Sequence, residues 1–240
     1  MTINDFLLFG IVPYVSLVVF FLVTIRRYRL QSFSYSSLSS QFLENQQHFW
    51  GSVPFHYGIL TVLAGHVMGF LMPKAILSWN AAPLRLVVLE VTGLAFAILT
   101  LVGLVNIVVR RWTRRKIRRV TTMGDWVVVA LLLVQVGSGI VVAVGNGWGS
   151  SWFATSISPW LWSLVKLSPD VTYVAPMPWI VKVHIVNAFL LIGVFPFTRL
   201  VHVLVVPNPY LWRKTQVVIW NWDRTRIRTS TSAEHETRIR

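Results

Sequence analysis

Four histidines, His56, His66, His184 and His202, lie two by two inside two otherwise apolar stretches of this 240-residue chain. An ionisable side chain within a membrane span is costly and marks a function by default. Neutral imidazole is a common ligand of haem iron. Two axial imidazoles leave the iron no open position, which suits electron transfer and disfavours oxygen chemistry. Four such residues on two helices imply two haems, each gripped by one histidine from either helix. Taken singly, each could instead be a hydrogen-bonded structural histidine. His48 and His235 fall outside the two stretches and read as solvated.

The chain contains no cysteine. This excludes disulfides, thiolate ligation of an iron–sulfur cluster and covalent haem attachment through C-x-x-C-H. Any haem is therefore non-covalent and of b type, and any iron–sulfur cluster belongs to a partner.

The elements that must position these histidines are transmembrane helices. Hydrophobic residues make up 55% of the chain and charged ones only 12%, against about 25% charged in a soluble domain. Five apolar runs are each long enough to cross a bilayer: Phe6–Ile25, Val53–Pro73, Leu86–Val109, Trp126–Gly145 and Trp179–Val205. The expected fold class is an all-α membrane protein with five transmembrane helices. Residues 1–212 would form a di-haem cytochrome b domain, and residues 213–240 a basic cytoplasmic tail. Met1–Asp5 carries no positive charge, and Arg26, Arg27 and Arg29 follow the first run, so that run reads as a retained span and not a signal peptide.

The net charge of +14 would suit nucleic acid, but its distribution suits a membrane. With the N-terminus outside, 18 of the 22 Lys and Arg fall on inner segments; only Lys74, Arg85, Lys166 and Lys182 do not. This positive-inside bias places the C-terminus in the cytoplasm and the basic clusters against anionic lipid, with no nucleic-acid partner. Trp79, Trp148, Trp152, Trp160, Trp162 and Trp179 gather at the outer boundary as an aromatic belt. Between the fourth and fifth runs, Ser158 and Pro159 suggest an N-cap and a first helical residue. Trp160, Leu161, Leu164 and Leu167 would then form a short interfacial helix, an anchor or a lid.

Depth sorts the histidines. His66 lies ten residues beyond His56, about 15 Å along a helix, and His202 lies 18 residues beyond His184, about 27 Å. His66 then pairs with His184 near the outside, and His56 with His202 near the inside. Such unequal spacings do not fit two straight parallel helices, so tilt, inclined haem axes and a bend at Pro196 must absorb the difference. Gly58, Gly65, Gly69, Gly93, Gly103, Gly137 and Gly139 remove bulk, as a flat macrocycle requires. Close helix packing, for which Gly65 and Gly69 have the spacing, needs glycines equally.

The runs Phe55-His56-Tyr57-Gly58-Ile59-Leu60, Gly65-His66 and Gly69 resemble the second helix of the respiratory nitrate reductase gamma subunit, a di-haem cytochrome b membrane subunit. Ser39-Ser40-Gln41, Thr121-Thr122 with Gly124-Asp125, and Phe195-Pro196-Phe197-Thr198-Arg199-Leu200-Val201-His202 extend the resemblance over residues 1–212. It implies His66/His184 as ligands of an outer haem and His56/His202 as ligands of an inner one. It further implies oxidation of quinol beside the outer haem, near Gly65 and His66, with a basic residue early in the third span holding the ring. Arg85 is the nearest candidate here. Arginine keeps its proton, which leaves it hydrogen bonding to a quinol oxygen; interfacial snorkelling is the other reading.

The family's electrons pass to a cytoplasmic iron–sulfur subunit and then to a molybdenum-containing catalytic subunit. That implies a multi-pass protein of the cell membrane, with its inner basic surfaces and Ser/Gln-rich loop used for docking. The basic tail after Arg213 departs from the family's shorter end. The same role in a related complex that oxidises nitrite, or a non-redox scaffold for soluble subunits, would share this composition.

Overall fold

The computed structural model describes residues 2–31 and 46–205, and among these no strand occurs. Eight helices carry the fold: α1 (Ile3–Leu30), α2 (Gln46–Leu71), α3 (Pro73–Asn80), α4 (Pro83–Thr113), α5 (Arg115–Val120), α6 (Met123–Gly145), α7 (Ser158–Val165) and α8 (Trp179–Val194). Five segments are long and apolar enough to span a membrane: α1, Phe49–Leu71 of α2, α4, α6 and Trp179–Phe197. The protein is a multi-pass membrane protein.

Local chemistry sets the boundaries. Thr2 and Asp5 form a reciprocal capping box at the start of α1, and Thr122 and Asp125 repeat it at the start of α6. Proline opens α3 and α4, where its missing N–H costs nothing. Pro13 sits two residues after a π-helical turn, Leu7–Ile11, at a point where a regular ladder would be crowded.

Packed neighbours run in the order α2, α4, α6, α8, α1. The closest approach is between α2 and α4. A Cβ on Gly58 would meet Thr100 Oγ1 and the backbone of α4, and one on Gly103 would meet the Phe55 backbone. These glycines serve helix packing, the second of the two uses their residue type allowed, and not a macrocycle face. Gly65, Gly93 and Gly137 have no heavy atom within 4 Å of that position. Their faces are open, and Gly65 with Gly69 do not form a helix-packing motif. Gly69 instead receives the Phe153 ring, and Gly139 the His184 ring.

The connection after α6 also departs from expectation. Helical structure begins at Gly149–Trp152, passes through a π-helical turn at Phe153–Ile157 and runs straight into α7. Ser158 therefore caps nothing; its hydroxyl donates to the Gly69 and Phe70 carbonyls at the end of α2. Trp160 is 1% exposed, which removes it from the aromatic belt. Its indole N–H donates to the Phe9 carbonyl, and its ring packs edge-on against Phe9 and Phe189. The segment is folded into one end of the bundle and does not lie along its surface.

The fifth span is not one helix. α8 stops at Val194, short 3₁₀ turns follow at Phe195–Phe197 and Arg199–Val201, and Thr198 between them is extended. A last helical turn, His202–Val205, carries the fourth histidine. Proline at 196 cannot donate to the ladder, so the chain leaves the helix there. The Ser39–Gln41 motif, Arg213 and the tail lie outside the described residues.

Candidate functional site

The structure brings His56 together with His202, ring centres 6.2 Å apart, and His66 with His184, ring centres 6.3 Å apart. α2 supplies one member of each pair. The fifth span supplies the other, although α4 and α6 stand between α2 and α8 in the packing order. The break at Pro196–Thr198 resolves the spacing problem, because His202 no longer has to continue the line of α8.

Three of the four rings have one nitrogen committed, and His184 has both engaged. His56 Nδ1 is 2.7 Å from the Ser52 carbonyl, His66 Nδ1 2.8 Å from that of Val62, and His202 Nδ1 2.7 Å from that of Arg199. A carbonyl only accepts, so each Nδ1 carries the proton and Nε2 keeps its lone pair. Around His184, the Ser138 hydroxyl donates to the Gln135 carbonyl at 3.1 Å and lies 3.0 Å from Nδ1. Its hydrogen is thereby used, and it accepts from Nδ1–H. The Gln135 amide nitrogen is 3.1 Å from His184 Nε2, and Asn187 holds the Gln135 side-chain oxygen at 2.7 Å. Metal binding by His184 therefore requires that Nε2 give up its contact with Gln135.

These pairs fit a haem. A metal–nitrogen bond is about 2 Å, and an imidazole centre lies roughly 1 Å behind its nitrogen. A metal in line between two rings thus sets their centres about 6 Å apart. Among the described residues, no group of three or more His, Cys, Asp or Glu is placed to hold a metal. Isolated pairs suit an ion whose other ligands come from a macrocycle. His56 and His66 are exposed, and the open faces of Gly65, Gly93 and Gly137 leave room for a flat group.

Phe153 stands edge-on to His66, ring centres 5.5 Å apart. Its segment is moored at both ends. Glu90 of α4 accepts from the Trp148 and Ser150 backbone N–H groups at 3.2 Å each, and Asn80 donates to the Ser150 and Ser151 hydroxyls at 2.9 Å. At the far end, Trp162 stacks on Phe70 and donates to its carbonyl. Arg85 is exposed, with its guanidinium 5.4 Å from the Trp79 ring centre and 3.4 Å from the Ser78 carbonyl. Its described contacts belong to the corner between α3 and α4 and not to His66.

Sequence reasoning passed over Gln135, Ser138, Asn187, Glu90 and Phe153. For the first four a signal existed: polar side chains inside apolar runs, which satisfy one another across helices. Phe153 gave none, because one aromatic among many reveals no partner.

The family described as nitrate reductase gamma subunit matches residues 5–221. The nitrate reductase gamma chain of Bacillus subtilis is 33% identical over 210 residues, covering 86% of this chain and 94% of that one. The respiratory nitrate reductase 2 gamma chain of Escherichia coli is 28% identical over 214 residues, covering 88% and 94%. The nitrate reductase-like protein NarX of Mycobacterium tuberculosis is 33% identical over 215 residues, covering 86% of this chain and 32% of that protein. With a match along most of its length and five spans, this chain belongs to the nitrate reductase gamma subunit family.

Proposed function

We propose that this chain is the membrane subunit of a nitrate-reductase-type oxidoreductase complex. In this reading it binds two b haems, one between His66 and His184 and one between His56 and His202. It takes electrons from quinol at the His66/His184 end, which faces outside. It delivers them at the His56/His202 end to cytoplasmic iron–sulfur and molybdenum subunits. The observation that carries the reading is the pairing itself: two sets of imidazoles at ligand separation, with Ser52, Val62, Arg199 and Ser138 committed to their Nδ1 sides.

Bis-histidine b haem, when bound, supplies one-electron transfer with no open coordination site. The protein's own residues do the rest. Backbone carbonyls of Ser52, Val62 and Arg199 fix three rings and make each Nε2 a better donor. Ser138 does the same for His184. Phe153, on the moored segment, packs edge-on against one side of His66. Gly65, beside His66, leaves a face that a flat quinol ring can approach. Arg85 reaches that ring only by leaving Trp79.

The test is direct. A short-chain quinol added to the purified complex should reduce b-type absorbance, and His66→Ala should abolish that reduction. Full reduction in the His66→Ala variant would refute the site.

A further inference from the structure

The end of the fifth span is held from two sides by charged residues whose contacts go beyond the positive-inside bias. Breaking the helix at Pro196 exposes carbonyls. The Arg27 guanidinium of α1 donates to two of them, Pro196 at 2.6 Å and Thr198 at 3.1 Å. On the other side stands Asp125, whose side chain is 6% exposed. Its Oδ1 lies 3.1 Å from Arg199 Nε, and its Oδ2 lies 3.6 Å from Arg111 Nη1 and 2.9 Å from the Thr122 N–H. Arg199 Nη2 also donates to the Val120 carbonyl at 3.1 Å, closing a fork onto the turn before α6. Arg199 is in turn the residue whose carbonyl accepts the His202 Nδ1 hydrogen at 2.7 Å.

We propose that Asp125, acting through Arg199, is a positioning residue for His202. The chain of contacts is unbroken: carboxylate to guanidinium, guanidinium's own backbone carbonyl to Nδ1. The Arg199 carbonyl also accepts the His202 backbone N–H, closing a single 3₁₀ turn with no continuous helix behind it. The ion pair fixes the side chain of that turn's first residue, and Arg27 fixes the preceding stretch. A half-buried charged pair of this kind adds little stability of its own, and the part proposed for it is to hold one arrangement. The His202 Nδ1 hydrogen bond raises the basicity of Nε2 and so favours the oxidised state of a bound iron. Loosening it should raise that iron's reduction potential.

This inference rests on the haem reading above, and the experiment separates the two. The complex carrying Asp125→Asn is compared with the parent and with Thr122→Ala, which removes the cap of α6 but keeps the ion pair. Haem content, potentiometric titration and the low-spin ferric resonance signals are read for each. The parent with no haem would sink the haem reading and this inference with it. The expected result is two haems throughout, with one of the two potentials shifted upward and one resonance altered in Asp125→Asn, and neither in Thr122→Ala. Arg199→Lys, which keeps a cation for Asp125, should restore much of the parent behaviour, whereas Arg199→Gln should match Asp125→Asn. Unchanged spectra and potentials in Asp125→Asn, or equal shifts at both haems, would overturn the proposal. Should Asp125→Asn fail to assemble, Arg199→Gln reads the same link. Failure of both with Thr122→Ala intact would make the pair a general stabiliser and also overturn it.

Discussion

At His184 the ligand side and the support side of one ring are held by residues of a single neighbouring helix. Ser138 and Gln135 sit three apart on α6, so both face α8 at the same level. Ser138 accepts a hydrogen bond from Nδ1–H, leaving Nε2 to ligate once Gln135 yields. Ser138→Ala should therefore weaken haem retention at this pair by about 10- to 100-fold, as loss of an orienting partner does. The rate of haem transfer to an excess of a haem-scavenging apoprotein measures it; an unchanged rate would deny Ser138 the role. Gly58 is a residue-scale constraint of another kind. An alanine there would place Cβ against the α4 backbone, 2.7 Å from Phe96 O. Overpacking of this sort costs about 1–3 kcal/mol. Gly58→Ala should lower the thermal midpoint of the detergent-solubilised protein, while Gly137→Ala, whose Cβ enters open space, should not.

At the scale of elements, five spans were legible because runs of about 20 apolar residues have few other uses. The pairing of histidines by depth was legible for the same reason, since only matched depths can meet. What stayed hidden was how the fifth span ends. Its pattern stays largely apolar through Phe195–Val205, and Pro196 announces a bend without saying that Thr198 would be extended. Likewise Ser158-Pro159 carried the local signature of a helix start, and tertiary structure overrode it. The hydroxyl found the α2 carbonyls, and the helix began nine residues earlier. Trp160 was misplaced because amphipathic spacing cannot distinguish a lipid interface from a protein core. The moored segment makes its own prediction. Glu90→Ala removes the acceptor for Trp148 and Ser150, so cleavage by added protease near Gly149–Trp152 should become faster. Cleavage at the parent rate would show that Glu90 does not hold it.

For the whole molecule, orientation gives the proposed electron path its direction. Basic residues cluster at the end carrying Arg111, Arg199 and His202, and in the proposed orientation, which follows the positive-inside rule, that end faces the cytoplasm. Moving charge against the membrane potential is then worth about 2.3 kcal/mol per 100 mV. The chain has no cysteine, so single cysteines report position without background. Ser168→Cys should react with an impermeant thiol reagent in intact cells, and Lys116→Cys only after lysis; the reverse pattern would invert the path. The central claim, however, is that the paired histidines hold haem. The pyridine haemochrome assay on the purified protein tests it most directly. The account predicts two haems b per chain, with one lost in His66→Ala and the other in His56→Ala. A fully folded preparation with no haem would contradict it.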